Sequence, residues 1–583
     1  MAATSIPNVN CLWGEIAAGT LARLGLRYAV IAPGSRSAPL VWGLTRQKEI
    51  ACISVLDERS AAFYALGLAR ASGIPVALVC TSGTAVANFL PAIIEASYSA
   101  VPLLVLTADR PPELRDCQAG QAIDQVKIYG HYPRWQHEVS LPENRPEMLR
   151  YLRQTILHAW ERAILPWSGP VHLNFPFREP LAPTPQAGFA APAQIDLNQI
   201  LNGDQSFFGA VPFPGYGISL CPKEILQARD GVIIAGPAQP AIYPGYLDLV
   251  GRWARKTGWP ILADALSPLR HDPKLSGQII SHYDLILRSQ KQLTNLTPEA
   301  VIHLGPLPTS KVLRTWLGNL HVPTLMIHDG PDNVDPLHRP VYNWRAGVGH
   351  LHELGSRLVT SNKAYLARWK KLETTATGSC AKSLGSLAIL FEGKAAWLLS
   401  KKLPAGTPVF AASSMPVRDC EFFWETGRGQ RFFFNRGANG IDGTTSTALG
   451  IAHATKRPTV LYTGDLALLH DQNGLLAARE LPDGASLTIV LINNDGGGIF
   501  EHLPIAQFDP PFERLFATPQ GVDFKKFAAL YNLDYHCPRN WKGFEKALLP
   551  LPKKGLRLIE LRTDRKRDAA LRTKLFQEIS HAL

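Results

Sequence analysis

Cysteine is scarce in this 583-residue chain, and no two cysteines stand in a C-x-x-C pair. The eight present (Cys11, Cys52, Cys80, Cys117, Cys221, Cys380, Cys420 and Cys537) are scattered, several in apolar runs such as PVALVC. That distribution suits reduced thiols in a cytosolic protein and argues against a disulfide framework or a zinc site. No uninterrupted apolar run approaches the ~18 residues of a membrane span, so no membrane insertion is expected. The opening MAATSIPNVNCLWGEI has neither a basic n-region nor an apolar h-region, so no secretory signal is expected either. No G-x-G-x-x-G opens a helix after a strand, which disfavours a nicotinamide or flavin Rossmann enzyme. Charged residues are only 19% and apolar residues 46%, which excludes disordered, collagen-like and heptad-dominated chains. The expectation is a soluble, cytoplasmic, globular protein.

Lys plus Arg is 60 and Asp plus Glu is 48, leaving a formal charge of +12. Such a surplus permits anionic partners. The densest basic run, KKGLRLIELRTDRKRDAALRTK, is interleaved with Glu and Asp and reads as a strand plus a solvated helix. It carries no recognition module or aromatic–basic interleaving, so no nucleic-acid partner is expected.

At a soft ~150 residues per domain, the length predicts roughly three or four domains. Two stretches without strand or helix periodicity read as linkers: Pro176 to Tyr216 (FREPLAPTPQAGFAAPAQ) and Leu372 to Leu384 (ETTATGSCAKS). They delimit blocks at 1–185, 216–370 and 385–583. Each block alternates short apolar runs (PVALVCTSGT, DGVIIAGPAQ, SLTIVLINND) with helical stretches, the pattern of parallel α/β sheets flanked by helices. The first and third blocks echo one another: ALGLARASGIP at Ala65–Pro75 and ALGIAHATKRP at Ala448–Pro458 share six of eleven residues. Each copy leads through strand, small-residue turn and helix to a second strand, which points to a duplicated domain.

The third block holds the clearest chemical signal. Gly464-Asp465 ends a predicted strand, and Asn493-Asn494-Asp495-Gly496-Gly497-Gly498 ends the next, Asn494 falling 29 residues after Asp465. A carboxylate, an amide oxygen and a backbone carbonyl at Gly496 make a hard oxygen set suited to Mg²⁺ shared with ligand phosphates. The glycines admit close approach, and a helix start after Asp465 accommodates negative charge. Separately, each motif reads as an ordinary cap or surface turn; their spacing favours the site.

The pattern resembles the thiamine-diphosphate motif, Gly-Asp-Gly followed by paired Asn, with Leu466 in place of the second glycine. YTGDLALLHDQNGLL…LINNDGGGIFEHLP, APGSRSAPL, LDERSAAF, TADRPPELRDCQAGQAIDQ and NRGANGIDGTTSTALGIA resemble one branch, the 2-succinyl-5-enolpyruvyl-6-hydroxy-3-cyclohexene-1-carboxylate synthase family of menaquinone and phylloquinone biosynthesis. The resemblance covers most of the first and third blocks and the middle one loosely. It implies a thiamine-diphosphate-binding fold: a pyrimidine-binding first domain, a middle domain and a diphosphate-binding third domain. It also implies a homodimer or tetramer, thiamine diphosphate with Mg²⁺ (or Mn²⁺), decarboxylation of 2-oxoglutarate, and addition of the resulting carbanion to isochorismate.

By the same resemblance Glu58 is the catalytic glutamate beside the cofactor's pyrimidine, although Asp57-Glu58-Arg59-Ser60 alone reads as a charged helix start. Arg36 and Gln121 are implied at the reacting centre. Thr81, Gly83, Ser414, Ile441, Gly464, Asp465, Leu466, Asn494 and Ile499 are implied around the cofactor, with Asp465, Asn494 and Gly496 on the metal. Ser35, Arg36, Arg110, Gln121, Lys311, Arg418, Arg436, Phe500 and Leu503 are implied around the substrates, whose carboxylates arginine pairs bidentately. Val312, after Lys311, is an arginine in some relatives. His470 and His502 read as structural. Another thiamine-diphosphate decarboxylase or carboligase is the alternative; Asp57-Glu58 and Gly-Asp-Leu argue against it, since those relatives commonly carry His-Glu and Gly-Asp-Gly.

Overall fold

The computed structural model describes residues 6–190, 221–238, 245–328, 330–345, 348–360 and 363–583. Much of the first expected linker (191–216), and with it the expected start of the middle block at residue 216, lies outside the described residues. The apolar, β-branched runs form strands buried on both faces: all five residues of VALVC and all seven of LLVLTAD are inaccessible to solvent.

Among the described residues eighteen strands, the central ones buried in this way, make three six-stranded parallel sheets. The first contains β1 (Tyr28–Ile31), β2 (Ala51–Ser54), β3 (Val76–Cys80), β4 (Leu103–Asp109), β5 (Trp135–Glu138) and β6 (Pro170–Pro176). The middle sheet contains β7 (Gly231–Ala235), β8 (Ile261–Ala263), β9 (Ile279–Ile280), β10 (Ala300–Leu304), β11 (Thr324–His328) and β12 (Tyr342–Arg345). The third contains β13 (Pro408–Ala411), β14 (Arg431–Phe433), β15 (Pro458–Gly464), β16 (Ser486–Asn493), β17 (Asp534–His536) and β18 (Gly555–Arg562). The first sheet runs β2-β1-β3-β4-β6-β5 and the third β14-β13-β15-β16-β18-β17, the same order when each is counted from its own start. The middle sheet, β12-β11-β10-β7-β8-β9, follows a different order. The topology therefore carries the duplication that the sequence echo suggests.

The sheets are gathered into two compact units. One holds the first sheet together with Asn435–Lys456 and His470–Ala485; the other holds the middle and third sheets. In the first unit the helix Glu58–Ser72 packs on the helix Thr444–Thr455, and these helices carry the two copies of the echo. Their axes approach so closely that a Cβ on Gly67 would stand 2.1 Å from the Thr447 carbonyl oxygen, and one on Gly450 2.2 Å from that of Tyr64.

In the second unit one expectation is corrected. Leu372–Leu384 is no linker but the body of a 23-residue helix, Ala364–Ser386. Its buried stripe of Tyr365, Trp369, Ala376, Cys380 and Leu384 has helical spacing, completed by Glu373. The stripe is hard to see within Leu372–Leu384 because after Trp369 it continues through Glu373, Ala376 and Cys380 before the next large apolar residue, Leu384. Glu373 accepts from the Ser281 hydroxyl at 2.6 Å, the His282 backbone N–H at 3.0 Å and His282 Nδ1 at 2.9 Å. Burial raises the Glu373 pKa, but His282 and these donors outweigh it and hold the group down to about 2. Burial likewise lowers His282, and Glu373 outweighs it, leaving the imidazole pushed up to about 10. A second buried pair, Arg270 and Glu421, joins the middle and third blocks, with Tyr283 donating to the same carboxylate. Among the described residues no helix is long and apolar enough to cross a membrane.

Candidate active site

Parallel sheets flanked by helices present ligand-binding side chains beyond the carboxyl ends of their strands. At that edge of the first sheet stand Ser35 and Arg36 after β1, Glu58 after β2, Thr81 and Gly83 after β3, and Arg110 after β4. Gly34 is required here: a Cβ on it would lie 2.3 Å from the Thr81 Cβ, so a bare backbone brings the exposed Ser35 and its neighbour onto the end of β3. Arg36 is 7% exposed, donates to the Phe177 carbonyl at 2.9 Å and lies 3.4 Å from Glu179. Its Nε is buried without a partner among the described residues. Burial, and then the like charge of Arg110, lower its pKa. Two guanidinium groups acting on one another at a strand edge form a field suited to a carboxylate.

Arg110 grips the Gly120 carbonyl through Nε at 3.0 Å and Nη2 at 2.8 Å, which draws the loop bearing Gln121 toward β4. Gln121 is exposed and adopts φ +56°, a conformation a non-glycine residue holds only where its surroundings impose it. Its Cα lies 3.6 Å from the Cβ position of Gly83, which itself has φ +88°. Gln125, 1% exposed, fastens the loop: it accepts from the Gly83 N–H at 2.9 Å and donates to the Ala108 carbonyl and the Asn174 Oδ1 at 3.1 and 2.9 Å. Sequence reasoning missed Gln125, since a glutamine in an aperiodic loop carries no pattern.

Glu58 is the first residue of its helix, and Asp57 is the N-cap, accepting from the Ser60 N–H at 3.1 Å. Asp57 also accepts from Asn473 at 2.9 Å, while Arg59 donates to the His470 carbonyl at 2.8 Å. Both neighbours of Glu58 are thus pinned, and its own half-buried carboxylate makes no side-chain hydrogen bond among the described residues. The Cys80 thiol at the end of β3 is pushed up by burial and then by the Glu58 charge.

Arg436 and Ile441, both half-buried, occupy the turn before Thr444–Thr455. Glu95, another residue without a sequence signal, shapes that turn by accepting from the Gly437 and Ala438 N–H groups at 3.0 and 2.6 Å. Gly443, at φ +64°, lies directly on the Phe63 ring, where a Cβ would come within 1.8 Å.

In the second unit, β15 and β16 pair in parallel with Gly464 opposite Ile492, so the segments after them emerge side by side. Asp465, 5% exposed, accepts from the Leu466 and Gly496 N–H groups, each at 2.8 Å. Burial raises its pKa to about 6, with the two backbone donors opposing the shift. Asn494 is 8% exposed, and Gly496 has φ +134° with the Ala517 carbonyl 2.3 Å from its Cβ position. Ser414, after β13, is held at φ +73°, and its carbonyl accepts from Arg418 at 2.6 Å. Ile499 and Phe500 are half-buried and Leu503 is 46% exposed. A groove of about 910 Å³ opens beside Asp465, lined also by Asn493, Asp495, Lys525, Arg539 and Arg562. Lys311 stands apart from these strands, exposed at the first turn of the helix Lys311–Gly318 that follows β10. Its N-cap Ser310 donates to Asp284 at 2.5 Å.

Among the described residues no three His, Cys, Asp or Glu side chains gather to hold a metal. The donor set here is of another kind: one carboxylate, one amide oxygen and a carbonyl in a glycine cradle. The Asn494 amide oxygen accepts no hydrogen bond among the described residues, and hard oxygen donors of this type fit a small divalent cation.

Residues 13–128 match the family model described as thiamine pyrophosphate enzyme, N-terminal TPP binding domain; residues 223–407 match the one described as middle domain of thiamine pyrophosphate. Curated 2-succinyl-5-enolpyruvyl-6-hydroxy-3-cyclohexene-1-carboxylate synthases resemble the chain over nearly its whole length. Those of Trichormus variabilis and Nostoc sp. are each 50% identical over 578 residues, covering 97% of this chain and 97% of the relative. That of Microcystis aeruginosa is 50% identical over 565 residues, covering 96% and 97%.

Proposed function

The chain belongs to the 2-succinyl-5-enolpyruvyl-6-hydroxy-3-cyclohexene-1-carboxylate synthase family of thiamine-diphosphate enzymes, and from that premise we propose how its own residues divide the reaction. The substrates are 2-oxoglutarate and isochorismate, and CO₂ is released. The observation that carries the residue assignment is the strand-end trio of the second unit, Asp465, Asn494 and Gly496 beyond β15 and β16; within the first unit Arg36 and Arg110 stand together beyond β1 and β4.

Asp465, Asn494 and the Gly496 carbonyl would hold Mg²⁺ or Mn²⁺ against the cofactor's diphosphate, and Ser414, Gly464 and Leu466 line its path. Bound thiamine diphosphate supplies the carbon nucleophile for the 2-oxo acid and stores the electron pair left when CO₂ departs. Glu58 holds and exchanges the proton that controls this nucleophile, its carboxylate uncommitted while Asp57 and Arg59 fix the helix start. Thr81, Gly83 and Gln121 form the wall beside Glu58, and Ile441 and Ile499, each in its own unit, would offer the cofactor an apolar side chain. Arg36, Arg110, Arg418, Arg436, Ser35 and Lys311 orient substrate carboxylates, while Phe500 and Leu503 exclude water from them. The first domain runs 1–185, and the middle and third domains are joined through the helix Ala364–Ser386 in place of the expected linker. The active form is at least a homodimer, supported by exposed apolar side chains at Leu503, Phe508, Leu515 and Leu530.

The test supplies the protein with thiamine diphosphate, Mg²⁺ and both substrates. Consumption of isochorismate in step with 2-oxoglutarate is expected. Loss of 2-oxoglutarate while isochorismate persists, or faster turnover of pyruvate in its place, overturns the reading. An active monomer in light scattering overturns the oligomer.

A further inference from the structure

Asn494 poses a question of orientation. Its carboxamide has an oxygen end and an NH₂ end of nearly the same shape, and only the oxygen can serve a cation. Among the described residues its side chain makes one hydrogen bond, from Nδ2 to Glu392 Oε2 at 3.4 Å. A carboxylate only accepts, so turning the amide over would set two oxygens face to face. Glu392 opens the helix Glu392–Lys402 and is 3% exposed. Its other oxygen accepts from Arg572 Nη2 at 2.7 Å, and the same nitrogen donates to Asp419 at 2.5 Å. Arg572 Nη1 faces His502 Nε2 at 3.1 Å; since guanidinium only donates, that ring nitrogen accepts. Gly498 closes the nitrogen side of the amide, where a Cβ would lie 2.6 Å from Asn494 Nδ2.

We infer that Glu392, anchored by Arg572, is a positioning residue that turns the Asn494 carboxamide so that its oxygen faces the divalent cation of the cofactor site. The inference rests on the assignment of Asp465, Asn494 and Gly496 as that cation's donors. It makes an unusual demand of the isosteric Glu392→Gln variant. The glutamine oxygen stays with Arg572, its NH₂ faces Asn494, and the Asn494 amide turns over to accept it, offering the cation its nitrogen. A carboxylate at position 494 escapes the conflict, accepting from the glutamine with one oxygen and keeping the other for the metal.

The experiment follows quenching of tryptophan fluorescence as Mg²⁺ is added to the full chain with saturating thiamine diphosphate. Outer-layer partners of metal ligands typically govern affinity by 10- to 100-fold, so Glu392→Gln is expected to raise the apparent Mg²⁺ Kd by about that factor. The double variant Glu392→Gln with Asn494→Asp is expected to recover most of the loss, which a merely structural role would not allow. Glu392→Gln binding within about threefold of wild type, or a double variant no tighter than the single one, overturns the inference. Should Glu392→Gln lose its cooperative melt, a crystal structure of the wild-type holoenzyme decides: Glu392 beside the amide nitrogen and metal on the oxygen is expected, and Glu392 out of reach of Asn494 overturns it. Wild-type protein that binds no Mg²⁺ with the cofactor refutes the cation-site assignment instead.

Discussion

Replacing Gly450 with alanine sets two effects of opposite sign against each other. Alanine is the better helix former, by about 1 kcal/mol, and Gly450 lies within the helix Thr444–Thr455, so propensity alone forecasts a gain. Packing forecasts a loss. The new Cβ would stand 2.2 Å from the Tyr64 carbonyl oxygen, 2.9 Å from the Leu68 nitrogen and 3.0 Å from the Gly67 Cα. All three are backbone atoms, so no side chain can swing aside and the helices themselves must separate. Overpacking of this kind costs about 1–3 kcal/mol, and a clash with backbone belongs at the upper end. The net expectation is destabilisation by about 2 kcal/mol, which lowers the melting temperature of a unit of this size by about 4–8 °C. Differential scanning calorimetry would follow the transition of the first unit, since a chain of this size need not melt in one step. Gly67→Ala should cost a similar amount, its Cβ meeting the Thr447 carbonyl at 2.1 Å. The double variant should cost less than the sum, because the first methyl already pays for the separation. A Gly450→Ala protein melting at or above wild type would refute the reasoning.

At Gly496 both φ +134° and the Ala517 carbonyl 2.3 Å from the Cβ position oppose a side chain, so Gly496→Ala should weaken Mg²⁺-dependent cofactor binding at least tenfold by fluorescence titration, about 1.4 kcal/mol. Arg36→Lys keeps the charge but loses the planar fork, and should raise the KM for 2-oxoglutarate about tenfold with a smaller change in kcat; an unchanged KM removes Arg36 from substrate binding. The His282–Glu373 pair fixes a pH signature. His282 rises from 6.5 to about 10, so its contribution is full below pH 6.5 and is lost as pH climbs toward 10. Glu373 falls from 4.5 to about 2, so its contribution is full above pH 4.5 and is lost toward pH 2. Wild type should therefore lose melting temperature between pH 6.5 and 9.5 more steeply than Glu373→Gln, and parallel profiles would count against the pair.

The sheets were legible because strands buried on both faces leave near-continuous apolar runs, as in VALVC and SLTIVLIN, and the strand ends followed from them. Asp465 and Asn494 could be found because a carboxylate and an amide each end such a run. The helix Ala364–Ser386 escaped because between Trp369 and Leu384 its buried stripe runs through Ala376, Cys380 and an ion-paired Glu373 rather than large apolar residues. Gln125, Glu95 and Glu392 escaped for a different reason. Their bonds to Gly83, Gly437 and Asn494 span 42, 342 and 102 positions respectively, and no local pattern marks a partner at such separations. Glu58 was legible only through resemblance: its own surroundings read as a cap, and Asp57 is indeed that cap.

The crossing of Glu58–Ser72 with Thr444–Thr455 has a reciprocal form. Gly67 and Gly450 occupy equivalent places in the two echoed segments, and so do Tyr64 and Thr447, each pair 383 residues apart. Gly67 approaches the carbonyl of Thr447, and Gly450 approaches that of Tyr64. A contact in which residue i meets j while the counterpart of j meets the counterpart of i is the signature of a two-fold, isologous dimer interface. Here it lies within one polypeptide. The echoed helices thus meet through a two-fold-like contact, and the glycine of each shared Ala-Leu-Gly is the point at which the other copy's backbone comes nearest. Outside this contact the copies differ: at the same 383-residue offset Glu58 falls opposite Ile441, and Asp465 opposite Ser82.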